Sequence, residues 1–126
     1  MAIGYNDQVV RRLLAAVTVE KYDVVKMSTT TGYVAVAGSG EKAVGIAKED
    51  ANPGDALDVV IEGEYFAYAS AAIAVGATVA AGATGQIRTA ISTDATIVGH
   101  MGLAQAAAVT NDLAAVRIAT NVVSIA

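Results

Sequence analysis

The sequence predicts an all-β fold: a small barrel or sandwich built from two similar β-units, with an N-terminal arm or short helix ahead of them. Three observations carry this expectation. First, a pattern occurs twice, 57 positions apart: Gly45-Ile46-Ala47, Gly54-Asp55, Val59 and Ile61 return as Gly102-Leu103-Ala104, Asn111-Asp112, Val116 and Ile118. Six positions are identical between 45–61 and 102–118, namely Gly45, Ala47, Ala51, Asp55, Val59 and Ile61. In so Ala-rich a chain the alanines say little, but the Gly, the Asp and the apolar pair in one register say more. Second, short β-branched runs alternate with Gly-containing turns at regular spacing, as in small all-β domains. Third, Leu57, Val59 and Ile61 alternate with Asp58, Val60 and Glu62, the two-residue period of a strand with two unlike faces.

Within this frame the chain divides into residues 1–20, read as an arm, and residues 21–126, read as one β domain with a pseudo-repeat over 21–68 and 74–120. Asn6 or Asp7 is placed to cap a short helix over Gln8–Ala16, with Val9, Leu13 and Ala16 on one side. Alternatively the segment orders only against a partner. Val17-Thr18-Val19 favours extended structure. Val24–Met27, Tyr33–Val36 and Ala43–Ala47 follow as strands. Asn52-Pro53-Gly54-Asp55 is a type II turn signal, because Pro presets the first central φ and Gly accepts the positive second one. Leu57–Tyr68 is the clearest strand, with Gly63 marking a bulge or a close backbone approach. In the second unit Ala77-Thr78-Val79 takes the place of Asp23-Val24-Val25, and Gly85-Gln86-Ile87 that of Gly32-Tyr33-Val34. Residues 91–96 read as a surface loop with its tip near Ser92-Thr93-Asp94. Ile97–Ala104, Leu113–Ile118 and Asn121–Ala126 complete the strands.

Composition excludes several function classes. The chain has 126 residues, a net charge of −4 and no cysteine, so disulfides and thiolate metal sites are out. Its few basic residues form no patch of the kind nucleic acid requires, and Arg11-Arg12 reads as a solvated doublet. Tyr65–Ile87 lacks charge, but it is rich in Ala, Gly, Ser and Thr and punctuated by glycines, unlike a membrane span. Hydrophobic content of 55% overstates the core, because alanine buries little area. A core this thin suggests that subunit contacts add stability.

No residue pattern points to catalysis, a cofactor or a metal. The single histidine, His100, has no nucleophile or acid partner placed near it in sequence. Glu62 and Glu64 share a strand face, where paired carboxylates can bind Ca²⁺, yet the surrounding alternation favours a solvated face. Asp55 and Asp112 each follow a turn-forming residue, Gly54 or Asn111. There a carboxylate accepts backbone N–H bonds, so Pro53, Gly54, Asp55, Asn111 and Asp112 are read as structural turn residues. No phosphate loop is present.

The chain resembles the head-decoration (capsid cement) proteins of tailed bacteriophages. The resemblance lies in Ala43–Ala47, Pro53-Gly54-Asp55, Val59–Tyr65, Ala74–Val79 and the Gly102-Leu103-Ala104 to Ile118 stretch, and spans roughly residues 20–120. It implies a non-enzymatic virion protein, made in the host cytoplasm, that binds the major capsid protein on the outside of the head and stabilises the expanded shell. It also implies a homo-oligomer, typically a homotrimer, with no nucleic-acid or membrane partner. Residues 1–20 are longer than the usual lead-in, and Ile3, Tyr5, Val9, Arg12 and Leu13 are the candidate partner contacts. A receptor- or glycan-binding β module is the competing reading, with Tyr65, Phe66 and Tyr68 as a stacking platform.

Overall fold

A computed structural model of the protein describes residues 8–89, 100–105 and 107–118. It is almost wholly β. The strands are β1 (Val9–Ala15), β2 (Val24–Met27), β3 (Tyr33–Val36), β4 (Gly45–Ala47), β5 (Ala56–Tyr68), β6 (Thr78–Ala81), β7 (Ile87–Thr89), β8 (His100–Ala104) and β9 (Leu113–Ile118), with one 3-10 turn over Ala83–Gly85.

The pairings form two rings that share β5. In the first, β1 pairs in parallel with β3, and β3 with β2, β2 with β4, β4 with β5 and β5 with β1 in antiparallel fashion. This closes a five-stranded barrel and leaves it no free edge. In the second, the C-terminal part of β5 pairs with β9, β9 with β8, β8 with β6 and β6 with β7. A parallel bridge from Ala69 to Ile87 links β7 back to the end of β5, where Leu14–Ala15 pairs with Tyr33–Val34 in the first ring.

The long strand changes partner at Gly63. Up to Glu62 it faces β1, and from Gly63 it faces β9. Gly63 has φ 107°, a conformation that side chains disfavour and glycine accepts. Gly45 is fixed by space instead. A Cβ there would lie 2.2 Å from the Val60 carbonyl oxygen and 2.8 Å from a Val59 methyl.

The expected helix over Gln8–Ala16 is a strand. Val9 and Val10 are β-branched, and β1 supplies hydrogen bonds to β5 from Val9 to Leu14, so ring closure outweighs the weak helical spacing of Val9, Leu13 and Ala16. The first barrel therefore draws on residues either side of position 20. The Asn6 and Asp7 caps, the 91–96 loop and the strand over Asn121–Ala126 lie outside the described residues.

The backbone hydrogen bonds of the first barrel recur in the second. Ala15 N donates to Asp55 O at 2.9 Å, as Ala69 N does to Asp112 O at 2.8 Å. Val19 and Ala51 exchange two bonds, as do Ile73 and Ala108. The cores correspond too. Ala15, Val19, Val25, Val34, Ala47, Ala51 and Val59 of one cluster match Ala69, Ile73, Val79, Ile87, Ala104, Ala108 and Val116 of the other, all buried. Val24, Ile46 and Val60, on the outer face of the first barrel, join the second barrel's cluster and fasten the two together by apolar burial.

Candidate functional site

Four turns at equivalent places in the repeat share one geometry, which residues 30–33, 38–41 and 83–86 also adopt. Residues 20–23, 52–55, 74–77 and 109–112 each close with an N–H to O=C bond from the fourth residue to the first, 2.9–3.1 Å long. In three of them the fourth residue is Asp. Asp23, Asp55 and Asp112 accept the backbone N–H of Glu20, Asn52 and Val109 at 2.9, 3.0 and 3.1 Å. The third position has positive φ each time: Tyr22 76°, Gly54 91°, Gly76 81° and Asn111 71°. Pro53, Gly54, Asp55, Asn111 and Asp112 thus sit in two of these turns, and sequence reading missed the turn at 20–23 because a tyrosine stands where glycine or asparagine is usual.

That tyrosine is out of place on backbone grounds. A bulky side chain at positive φ costs on the order of 1–2 kcal/mol. Tyr22 sits against three rings of β5: Tyr65 at 5.5 Å, Tyr68 at 5.9 Å and Phe66 at 6.4 Å between centroids. Lys21 Nζ lies 5.0 Å from the Tyr22 ring centre and Lys48 Nζ 5.9 Å from that of Tyr65, within cation–π reach. Four of the chain's six aromatic residues therefore gather where the barrels meet. Tyr65 is half-buried and packs on the second core, and burial raises its phenol pKa. Phe66 and Tyr68 are exposed. Tyr22 meets Phe66 and Tyr68 edge-on, at 86° and 82°, so these rings do not form one flat platform.

Asp23 lies at the same seam, where a Cβ added to Gly85 would come within 2.9 Å of its Oδ1. Loss of water raises its carboxyl pKa, with repulsion from Glu20 and Asp50 adding to the rise, and the Glu20 N–H offsets only part of it.

The expected contact residues separate. Val9 is exposed at the outer end of β1. Arg12 is exposed, with its guanidinium 2.9 Å from Asp58 and 3.7 Å from Glu49. Leu13 points into the first core and is 8% exposed, because side chains alternate along β1, and its remaining surface faces a depression bordered by Arg11 and Ile61. Ile3 and Tyr5 lie outside the described residues, as does the side chain of His100. Glu62 is exposed, while Glu64 accepts bonds from Gln105 at 3.0 Å and Arg117 at 3.3 Å. Among the described residues no three His, Asp or Glu side chains gather to hold a metal ion, and no helix is long and apolar enough to cross a membrane.

What this geometry offers is surface. A family model described as phage cement protein matches residues 8–119, which takes in both barrels. The chain belongs to the phage cement protein family. It is accordingly a structural protein of a phage particle. The fold of this cement protein is shared with a solved structure, the head fiber N base of bacteriophage phi29, at a TM-score of 0.70 and 19% identity, covering 90% of this chain and 96% of the other. No curated protein matches the chain.

Proposed function

We propose that this cement protein binds the major capsid protein on the outer surface of a tailed-phage head after expansion, and that it stabilises the shell there as a homotrimer. The family match over both barrels carries the reading. Physical chemistry supports it. A protein that binds only the assembled, expanded shell stabilises that state by mass action. Several modest contacts around a symmetric oligomer reinforce one another through effective concentration. The contact includes Val9, Arg12 and Leu13 of β1 and, ahead of them, Ile3 and Tyr5. Co-sedimentation of the purified chain with expanded, undecorated heads tests this. Saturable binding at a fixed ratio to the major capsid protein is expected, and heads that pellet without the folded protein would overturn the reading.

The exposed Phe66 and Tyr68 beside Tyr22 favour a second reading, a receptor- or glycan-binding module. The 53° tilt between Tyr65 and Phe66 argues against one flat stacking face shared by those two rings. A glycan array probed at high protein density would decide, with a specific hit favouring this module.

A further inference from the structure

The first barrel ends in an open groove of about 540 Å³ lined by Arg11, Leu13, Met27, Lys42, Val44 and Ile61. Its walls are apolar, and Met27 is 44% exposed there, a flexible side chain suited to moulding around a partner. The rim carries charge of one sign. All eight Lys and Arg residues of the chain fall within the described residues, and six of them are engaged. Arg12 pairs with Asp58, Lys26 with Glu41 and Arg117 with Glu64. Lys21 lies over Tyr22, Lys48 bonds Gln8, and Arg88 bonds Ser39. Arg11 and Lys42 make no ion pair among the described residues, and both stand on this groove. Glu41, in the adjoining depression, is already held by Lys26 at 2.8 Å and by the Gly38 N–H at 2.6 Å. Those two bonds keep its pKa low and its charge matched.

We propose that this groove receives a segment of the phage shell protein in which an aliphatic side chain sits beside one or two carboxylates. The inference rests on the capsid-binding reading above and names the part of the molecule that makes the contact. Charge complementarity selects the occupant. The chain as a whole is negative, at −4, so an acidic segment is repelled from most of its surface and drawn to a groove whose two cations make no ion pair among the described residues. Apolar walls then hold the aliphatic neighbour out of water. Two cations without stacking rings are too few to hold nucleic acid.

The test uses the full chain and expanded, undecorated heads. Binding is compared for wild type, for Arg11→Gln/Lys42→Gln, and for Val75→Glu/Val109→Glu, which shifts net charge equally from exposed turns of the second barrel. The groove variant is expected to bind about tenfold more weakly and with a flatter salt dependence, while the turn variant binds as wild type does. Zero-length carbodiimide cross-linking of the wild-type complex is expected to join Lys42 to an Asp or Glu of the shell protein. If the groove variant binds as tightly as wild type, or if cross-links form at Lys21 and not at Lys42, the inference falls and the capsid-binding reading stands. If wild type itself does not bind, both fall.

Discussion

Ile46 and Leu103 hold the same place in their barrels, yet Ile46 is fully buried and Leu103 is 46% exposed. The contrast extends across the sheet. Val24, Ile46 and Val60 are direct neighbours on β2, β4 and β5, and Thr78, Leu103 and Arg117 are direct neighbours on β6, β8 and β9. The first row is covered by the second barrel. Among the described residues no barrel covers the second row, and the sequence there has turned to Thr and Arg. Duplication thus kept the backbone pattern and let each outer face follow its neighbours. A hydrogen-bonded scaffold needs few particular side chains, whereas burial of a face demands apolar ones.

Val60 is the residue on which the contrast between the two outer faces depends most. Val60→Arg gives the first barrel the residue its counterpart carries, but places an unpaired charge in the seam. We expect a loss of about 4 kcal/mol or more, enough to unfold a marginal domain, seen as loss of the cooperative transition in urea. The mirror change, Arg117→Val, removes an exposed pair with Glu64 and should stay within about 0.5 kcal/mol of wild type. Equal effects would show that the seam is not a real interface.

Core filling gives the next largest effect. Leu57 matches Ala114 in the repeat, and both are buried. Leu57→Ala should cost about 2–5 kcal/mol by leaving a cavity, since the first barrel has not repacked around alanine as the second has through Ile73 and Ile87. A loss under about 1 kcal/mol by chemical denaturation would contradict that packing.

Tyr22 distinguishes its turn from the equivalent one, where Gly76 stands. Tyr22→Ala keeps the positive φ and loses the ring, while Tyr22→Gly loses the ring and relaxes the backbone. The glycine variant should be the more stable of the two by about 1 kcal/mol in thermal unfolding. The reverse order would mean that the turn relaxes when the ring is gone.

The smallest effect concerns Asp23. Its folded-state pKa is raised, so the folded state holds the proton more tightly than the unfolded one. That contribution is fully present below the ordinary aspartate value of 3.8 and is lost as pH rises through the raised value. Asp23→Asn keeps an acceptor for the Glu20 N–H and removes the charge. It should therefore stabilise the protein near pH 7 by less than about 1 kcal/mol, the half-exposed site being screened, with the gain vanishing in acid. A variant less stable than wild type at pH 7 would reverse this assignment.

The doubled cassette was legible in the sequence because Gly45, Asp55, Val59 and Ile61 survive as Gly102, Asp112, Val116 and Ile118. The equivalence of β1 with the end of β5 was not. Residues 9–15 and 63–69 share only their last alanine, and what they have in common is a position in a ring, set by partners far away in sequence. For the same reason Val9, Leu13 and Ala16 could imitate a helix. Tyr65, Phe66 and Tyr68 announced an aromatic patch. Tyr22, more than forty positions earlier, joins them only once the barrels dock. The groove depends on Arg11, Met27, Lys42 and Ile61 from four separate segments, and no local spacing reveals it.

The proposed strengthening of the shell can be read by heating expanded, DNA-filled heads with and without a saturating amount of the chain and following DNA release by dye fluorescence. Release is expected at a higher temperature when the protein is bound, with a smaller increase for Arg11→Gln/Lys42→Gln at the lowest concentration that saturates wild type. Release at an unchanged temperature from heads shown to carry the bound protein would contradict that strengthening.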